Sequence, residues 1–341
     1  MDSKRGYLSG TLALALCCLS ASAAAHGVHR AHRVAAKAEE PSLQIDPTDV
    51  SAAHTDTIGP GARGGTVLRA QILLARAHFS CGQVDANYGT NLQKTVAAFQ
   101  AFHNLPPNGV VGPETWAVLN ADTAPVLVPY TIAGQDETGP FLAIPADLMS
   151  QAKLDYLGYA SPLDELGERF HTSPKVLEAL NPGKDFHKSG EPILVPNGNT
   201  TPPGQAATVV VSKGDSSVTA YDLQGKFLAY YVATIGSEHD PLPIGDWKIL
   251  GVARNPKFHY NPDLFWNSKP GDAKAVIQPG PRNPVGVVWI DLSKDHYGIH
   301  GTPSPGTIGH AESHGCIRLT NWDAWQLADM VKPGTRAVLK N

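Results

Sequence analysis

Between residues 208 and 292 the chain is written in short β-branched or aromatic runs cut by turn residues. No other feature limits the fold so strongly. Thr208 to Ser212, Val218 to Tyr221, Leu228 to Ile235, Trp247 to Val252 and Val285 to Leu292 each suit a short strand. The 33 glycines and 28 prolines exceed what a helical bundle carries and fit strands, turns and linkers. One helix closes the region. Ala324, Leu327, Ala328 and Val331 form its apolar stripe, Thr320 with Asp323 suggests its cap, and Pro333-Gly334 stops it.

Upstream the period changes. Leu68, Ile72 and Ala75 share one helical face and Leu92, Val96 and Phe99 another, while Pro113 opens a third helix carrying Trp116 and Leu119. Thr95-Val96-Ala97-Ala98-Phe99-Gln100 and Gly109-Val110-Val111-Gly112-Pro113-Glu114-Thr115 make this segment resemble the three-helix peptidoglycan-binding domain. Ala86 stands where that family has glycine, which predicts a differently shaped turn. Cys81, at its edge, reads as a packing residue. A second unit has Leu163, Leu166 and Phe170 at helical spacing, then Val176, Leu177, Leu180 and Asn181-Pro182. With its closing Gly190-Glu191-Pro192-Ile193-Leu194-Val195-Pro196, it resembles a LysM glycan-binding module whose opening strand would be Tyr130-Thr131-Ile132. A plain connecting subdomain is the alternative.

With 341 residues and 42% hydrophobic content the chain holds two or three domains. The expected class is multidomain α+β. Residues 1–25 form a signal peptide, 26–60 a disordered linker, 61–122 the peptidoglycan-binding domain, 130–197 the LysM-like segment and 206–341 a mainly β catalytic domain. Lys4 and Arg5, the apolar run Leu8 to Leu19 and Ala23-Ala24-Ala25 carry the export reading, against a retained anchor. Cleavage there removes Cys17 and Cys18 and leaves Cys81 and Cys316, too few for a disulfide scaffold. A net charge of −4 offers no basic field for nucleic acid.

The chemistry gathers in Tyr297-Gly298-Ile299-His300-Gly301-Thr302 and Ser313-His314-Gly315-Cys316-Ile317-Arg318-Leu319-Thr320-Asn321. A free thiol ionises near pH 8.5, so Cys316 needs a base, and an imidazole can take its proton and hold an ion pair. His300 ends a strand-like run 16 residues before Cys316 (316 − 300), far enough for a loop to return. A Cys81–Cys316 disulfide, and zinc held by His300, His310, His314 and Cys316, are the bland rivals. His-Gly-Thr followed by Ser-His-Gly-Cys-Ile-Arg-Leu resembles the catalytic domain of the L,D-transpeptidases (the YkuD-like family, Gram-negative envelope branch). So does the upstream Pro241-Leu242-Pro243-Ile244-Gly245.

The resemblance implies a cell-wall acyltransferase of the periplasm, with no metal or cofactor. Cys316 would attack the diaminopimelate carbonyl of a tetrapeptide stem and expel D-alanine. The acyl group then passes to an amine, giving a 3-3 cross-link or attachment to an envelope protein. His300 would be the base, and His314 would shape the site. Gly315, Ser313 and Gly301 would contribute to oxyanion or substrate binding, Arg318 would meet the stem's carboxylate, and Asn321 would hold a loop onto the helix. Carbapenems are the expected covalent inhibitors. A hydrolase of the same fold and an inactive wall-binding protein are the rival functions. Asn255 to Pro284, with Phe258, Tyr260, Phe265 and Trp266, reads equally as a lid or a self-packed excursion.

Overall fold

The structure, a computed structural model, describes residues 43–266, 268–313 and 315–341. The signal-like stretch and His314 lie outside the described residues. The expectation of a structureless linker over 26–60 fails from Leu43 onward. Helix α1 (Pro47–Ser51) is capped by Asp46, and its Val50 is fully buried. The carbonyls of Val50 and Ser51 accept from Arg69, and Trp116 Nε1 donates to Asp56 O at 2.8 Å. Ile45, Val50 and Ile58 anchor this segment singly, at spacings that no helix or strand period detects.

Helices α2 (Gly65–Arg76), α3 (Thr90–Phe102) and α4 (Pro113–Leu119) follow, with the strand β1 (Phe79–Ser80) between the first two. Their apolar faces converge: Leu68, Ile72, Leu92, Val96, Phe99, Trp116 and Leu119 are buried together. Ala86 closes its turn with a positive φ. It adopts φ 60°, the left-handed region that glycine enters freely, at a cost of about 1–2 kcal/mol for a residue with a side chain. Gln71 Oε1 holds the turn by accepting from the Asp85 and Ala86 amides.

The middle segment pairs β2 (Leu127–Thr131) antiparallel with β3 (Pro192–Pro196). Between them run α5 (Leu148–Gln151), α6 (Pro162–Arg169) and α7 (Pro174–Leu180), the last two opened by Ser161 and Ser173 caps. Ile132, Leu166, Leu177, Ile193 and Val195 form its small core. Asn181 stitches α7 to β3 by accepting from Leu194 N and donating to Leu194 O.

The remaining strands are β4 (Thr208–Ser212), β5 (Ser217–Tyr221), β6 (Phe227–Val232), β7 (Thr234–Ile235) and β8 (Gly245–Arg254). The hairpin β9 (Phe258–Tyr260) and β10 (Ala275–Ile277) comes next. Then come β11 (Val288–Leu292), β12 (Gly298–His300), β13 (Ile317–Arg318), helix α8 (Asn321–Met330) and β14 (Arg336–Lys340). Ten strands join in the order β1-β6-β5-β4-β14-β8-β11-β12-β13-β7. Thr320 caps α8, as its spacing to Asp323 predicts.

One edge of this sheet comes from the N-terminal helical segment. β1 runs parallel to β6, with Phe79 opposite Tyr230 and Ser80 opposite Tyr231. Tyr230, Val232 and Ile308 accordingly sit in the same core as Leu68 and Phe99. The described residues form one compact unit rather than beads on linkers.

Candidate active site

Strand alternation builds the site. On β11, β12 and β13 the residues Ile290, Ile299 and Ile317 are fully buried and share a core with Leu327 of α8. Their neighbours must then face the other way. Trp289 pairs with His300 across β11–β12, His300 with Arg318 across the parallel β12–β13 pair, and Arg318 with Thr234 of β7. One row of the opposite face therefore carries Trp289, His300 and Arg318. Continuing the register by one pair sets Cys316 opposite Gly298, on the same face and one row along. Gly298 has no side chain there, and its backbone N–H helps to hold the sulfur's charged form.

His300 is buried, with its ring stacked 5.4 Å from that of Trp289. Its Nδ1 lies 2.7 Å from Gly301 O. A carbonyl only accepts, so Nδ1 carries the proton and Nε2 keeps a lone pair. Burial, reinforced by Arg318, pulls the imidazole down to about 3, against the opposing pull of Gly301 O. Burial also pushes the Cys316 thiol up, while Gly298 N–H and Arg318 pull down and Asp240 adds to the rise. Both shifts favour neutral partners at rest, so the expected resting ion pair is replaced by a neutral thiol beside a neutral imidazole. The Cys316 Sγ–H donates to His296 O at 3.7 Å. Cys81 and Cys316 are both free, and Cys81 is buried.

The turn before Cys316 is tightly braced. Ser313 is buried, donates its hydroxyl to Cys316 O at 2.6 Å and its amide to Gly236 O. It shapes the turn rather than facing a ligand, contrary to the substrate-binding role expected of it. Gly315 adopts φ 88°, and a methyl there would lie 2.7 Å from the Tyr297 ring. Gly301 is likewise internal, because a Cβ would fall 2.2 Å from Asn321 Oδ1. Its carbonyl serves His300, so it supports the site from beneath instead of contacting substrate.

Arg318 donates from Nη1 to Glu312 O at 3.2 Å. Asp240 Oδ2 and Arg318 Nε are among the buried side-chain atoms that lack a hydrogen-bond partner in the described residues. Trp289 and Asp240 join the site without having been singled out in the sequence; a strand neighbour and a loop contact, not a motif, bring them there. His310 is exposed, apart from the row. Among the described residues no metal-holding group of His, Cys, Asp and Glu assembles. The 255–284 excursion packs Phe258, Tyr260 and Phe265 on each other, and Trp266 meets His239 at 4.6 Å beside the Asp240 loop. A cavity of about 290 Å3 lined by His78, His171, Trp322 and Gln326 includes none of the site residues.

Residues 206–339 match the family described as the L,D-transpeptidase catalytic domain, YkuD, and residues 63–119 match the "Putative peptidoglycan binding domain". The chain is 30% identical over 176 residues to the "Putative L,D-transpeptidase YkuD" of Bacillus licheniformis, covering 51% of this chain and 90% of that protein. The protein of the same name in Bacillus subtilis is 30% identical over 178 residues, with 52% and 92% covered. "Probable L,D-transpeptidase YbiS" of Escherichia coli is 26% identical over 187 residues, with 52% and 60% covered.

Proposed function

The chain belongs to the L,D-transpeptidase family, and from that premise we propose that it remodels peptidoglycan by acyl transfer through Cys316. The observation that carries the assignment of residues is the single polar row on β12 and β13. It sets His300 and Arg318 beside Cys316 across a glycine, on the face opposite the core side chains Ile299 and Ile317.

A turn about χ1 takes the sulfur from His296 O towards His300. Apo catalytic hydrogen bonds are often long and tighten only with substrate. As the sulfur attacks the diaminopimelate carbonyl of a tetrapeptide stem, its proton passes to His300 Nε2, and Gly301 O steadies the imidazolium through Nδ1–H. The backbone N–H groups at Gly315 and Cys316 receive the developing oxyanion. Collapse breaks the bond to D-alanine, whose amine takes the proton from His300, and leaves a thioester. An amine acceptor, from a second stem or an envelope protein, then attacks the thioester and restores the thiol. Arg318, whose buried Nε lacks a partner among the described residues, meets the stem's carboxylate. The N-terminal helical segment and the LysM-like middle segment hold the wall, and the enzyme works in the periplasm.

Incubation with disaccharide-tetrapeptides, read by mass, tests the reading. A dimer lacking one D-alanine is expected from wild type and nothing from Cys316→Ala. Tripeptide alone would make the protein a hydrolase, and unchanged substrate would leave a wall-binding protein.

A further inference from the structure

Glu168 lies in the last turn of helix α6 of the middle segment, 153 residues before Asn321, yet its carboxylate meets the Asn321 side chain. Its Oε1 accepts from Asn321 Nδ2 at 2.7 Å and its Oε2 from Arg282 Nη1 at 2.8 Å. The side chain is only 8% exposed. Arg282 ties the cluster further, pairing with Asp164 and donating to Pro303 O at 2.9 Å.

The other side of Asn321 reaches the catalytic strand. Asn321 Oδ1 accepts from Val287 N at 3.2 Å and from Thr302 N at 3.1 Å, while Nδ2 also donates to Pro281 O. These partners fix which end of the amide is oxygen. The Thr302 N–H belongs to the peptide unit whose carbonyl is Gly301 O, the acceptor of His300 Nδ1–H. Glu168, Asn321, the 301–302 peptide plane and the imidazole thus form one chain of hydrogen bonds. The close approach needs Gly301 and Gly286, where a Cβ would fall 2.2 and 2.0 Å from Asn321 Oδ1.

We propose that Glu168 is a positioning residue for His300: through Asn321 it locks the 301–302 peptide plane and so sets the tautomer and aim of the base. The inference rests on the reading of His300 as the base for Cys316. On this view the middle segment completes the active site of the domain it precedes, besides any hold it has on the wall. Without Glu168, Asn321 Nδ2 keeps only Pro281 O, and the plane that orients the imidazole is free to tilt.

The test uses the whole chain. Folded Glu168→Ala, with a melting transition close to wild type, is expected to lower kcat on tetrapeptide stems by about tenfold or more with KM little changed. The pH profile for alkylation of Cys316 by iodoacetamide should move to higher pH, which loss of packing alone would not do. Asn321→Ala should behave alike, and the double variant should be no worse than Asn321→Ala alone. Wild-type kcat and an unmoved alkylation profile in folded Glu168→Ala would overturn the proposal, as would losses that multiply. Should Glu168→Ala not fold, an exchange decides. Asn321→Asp sets two carboxylates face to face and should lose activity, and adding Glu168→Gln restores a donor and should recover part of it. No recovery would overturn the proposal. If wild type leaves stems unchanged while alkylation still responds to Glu168→Ala, the functional reading falls and the positioning role stands.

Discussion

A buried imidazole beside a guanidinium does not hold a proton readily. With His300 pulled down to about 3 from its ordinary 6.5, it is neutral and able to accept throughout pH 5–7. The Cys316 thiol, raised by burial, ionises above its usual range. The rate at which a carbapenem acylates Cys316, read by mass, should therefore rise steadily towards alkaline pH and show no imidazole step between 5 and 7. A plateau reached near pH 6.5 would contradict the neutral pair. Cys316 and His300 were legible in the sequence because the family motif is linear there. Ser313 and Gly301 were legible as members of the motif but not in role, since burial decides whether a residue faces a ligand or a neighbour. Glu168 was not legible as part of the site, because its link to Asn321 spans 153 residues and follows no period.

At the scale of elements, α8 carries a second electrostatic consequence. Asp323 is buried against Ser80 Oγ at 2.9 Å, and burial lifts its carboxyl from 3.8 to about 7. The native state keeps a proton that the unfolded chain gives up between those values, so this contribution to stability is full below 3.8 and lost as pH rises through 7. Asp323→Asn removes the loss. Its melting transition should match wild type near pH 3.5 and exceed it at pH 8, by on the order of 4 kcal/mol. A constant gap across that range would count against the assignment. Most elements could be read ahead: the three N-terminal helices, the α8 stripe and its cap, and the runs that became β4, β5 and β8 all follow period and capping. The run Leu228 to Ile235 divides into β6 and β7, and the two-residue strands β1 and β13 could not be read, because pairing partners rather than local sequence define them.

For the whole molecule, residues 64–197 are integral to the strand-rich domain that follows them. They supply a sheet edge, most of a shared core and the Glu168 link. The fragment 206–341 should therefore be poorly soluble or melt well below the full chain, since it exposes β6 as an open edge and strips Tyr230 and Val232 of cover. The described residues should unfold in one calorimetric transition, whereas two resolved transitions would restore the picture of independent domains.

The parallel pairing of Phe79–Ser80 with β6 also governs the order of assembly. Ribosomes deliver residue 79 some 150 positions before its partner at 230, and Glu168 as far ahead of Asn321. The early part of the chain must wait, incomplete, for the last third to arrive. A nucleophile whose scaffold closes only when synthesis is nearly over stays inert until then, so the chain is disarmed while it is being made.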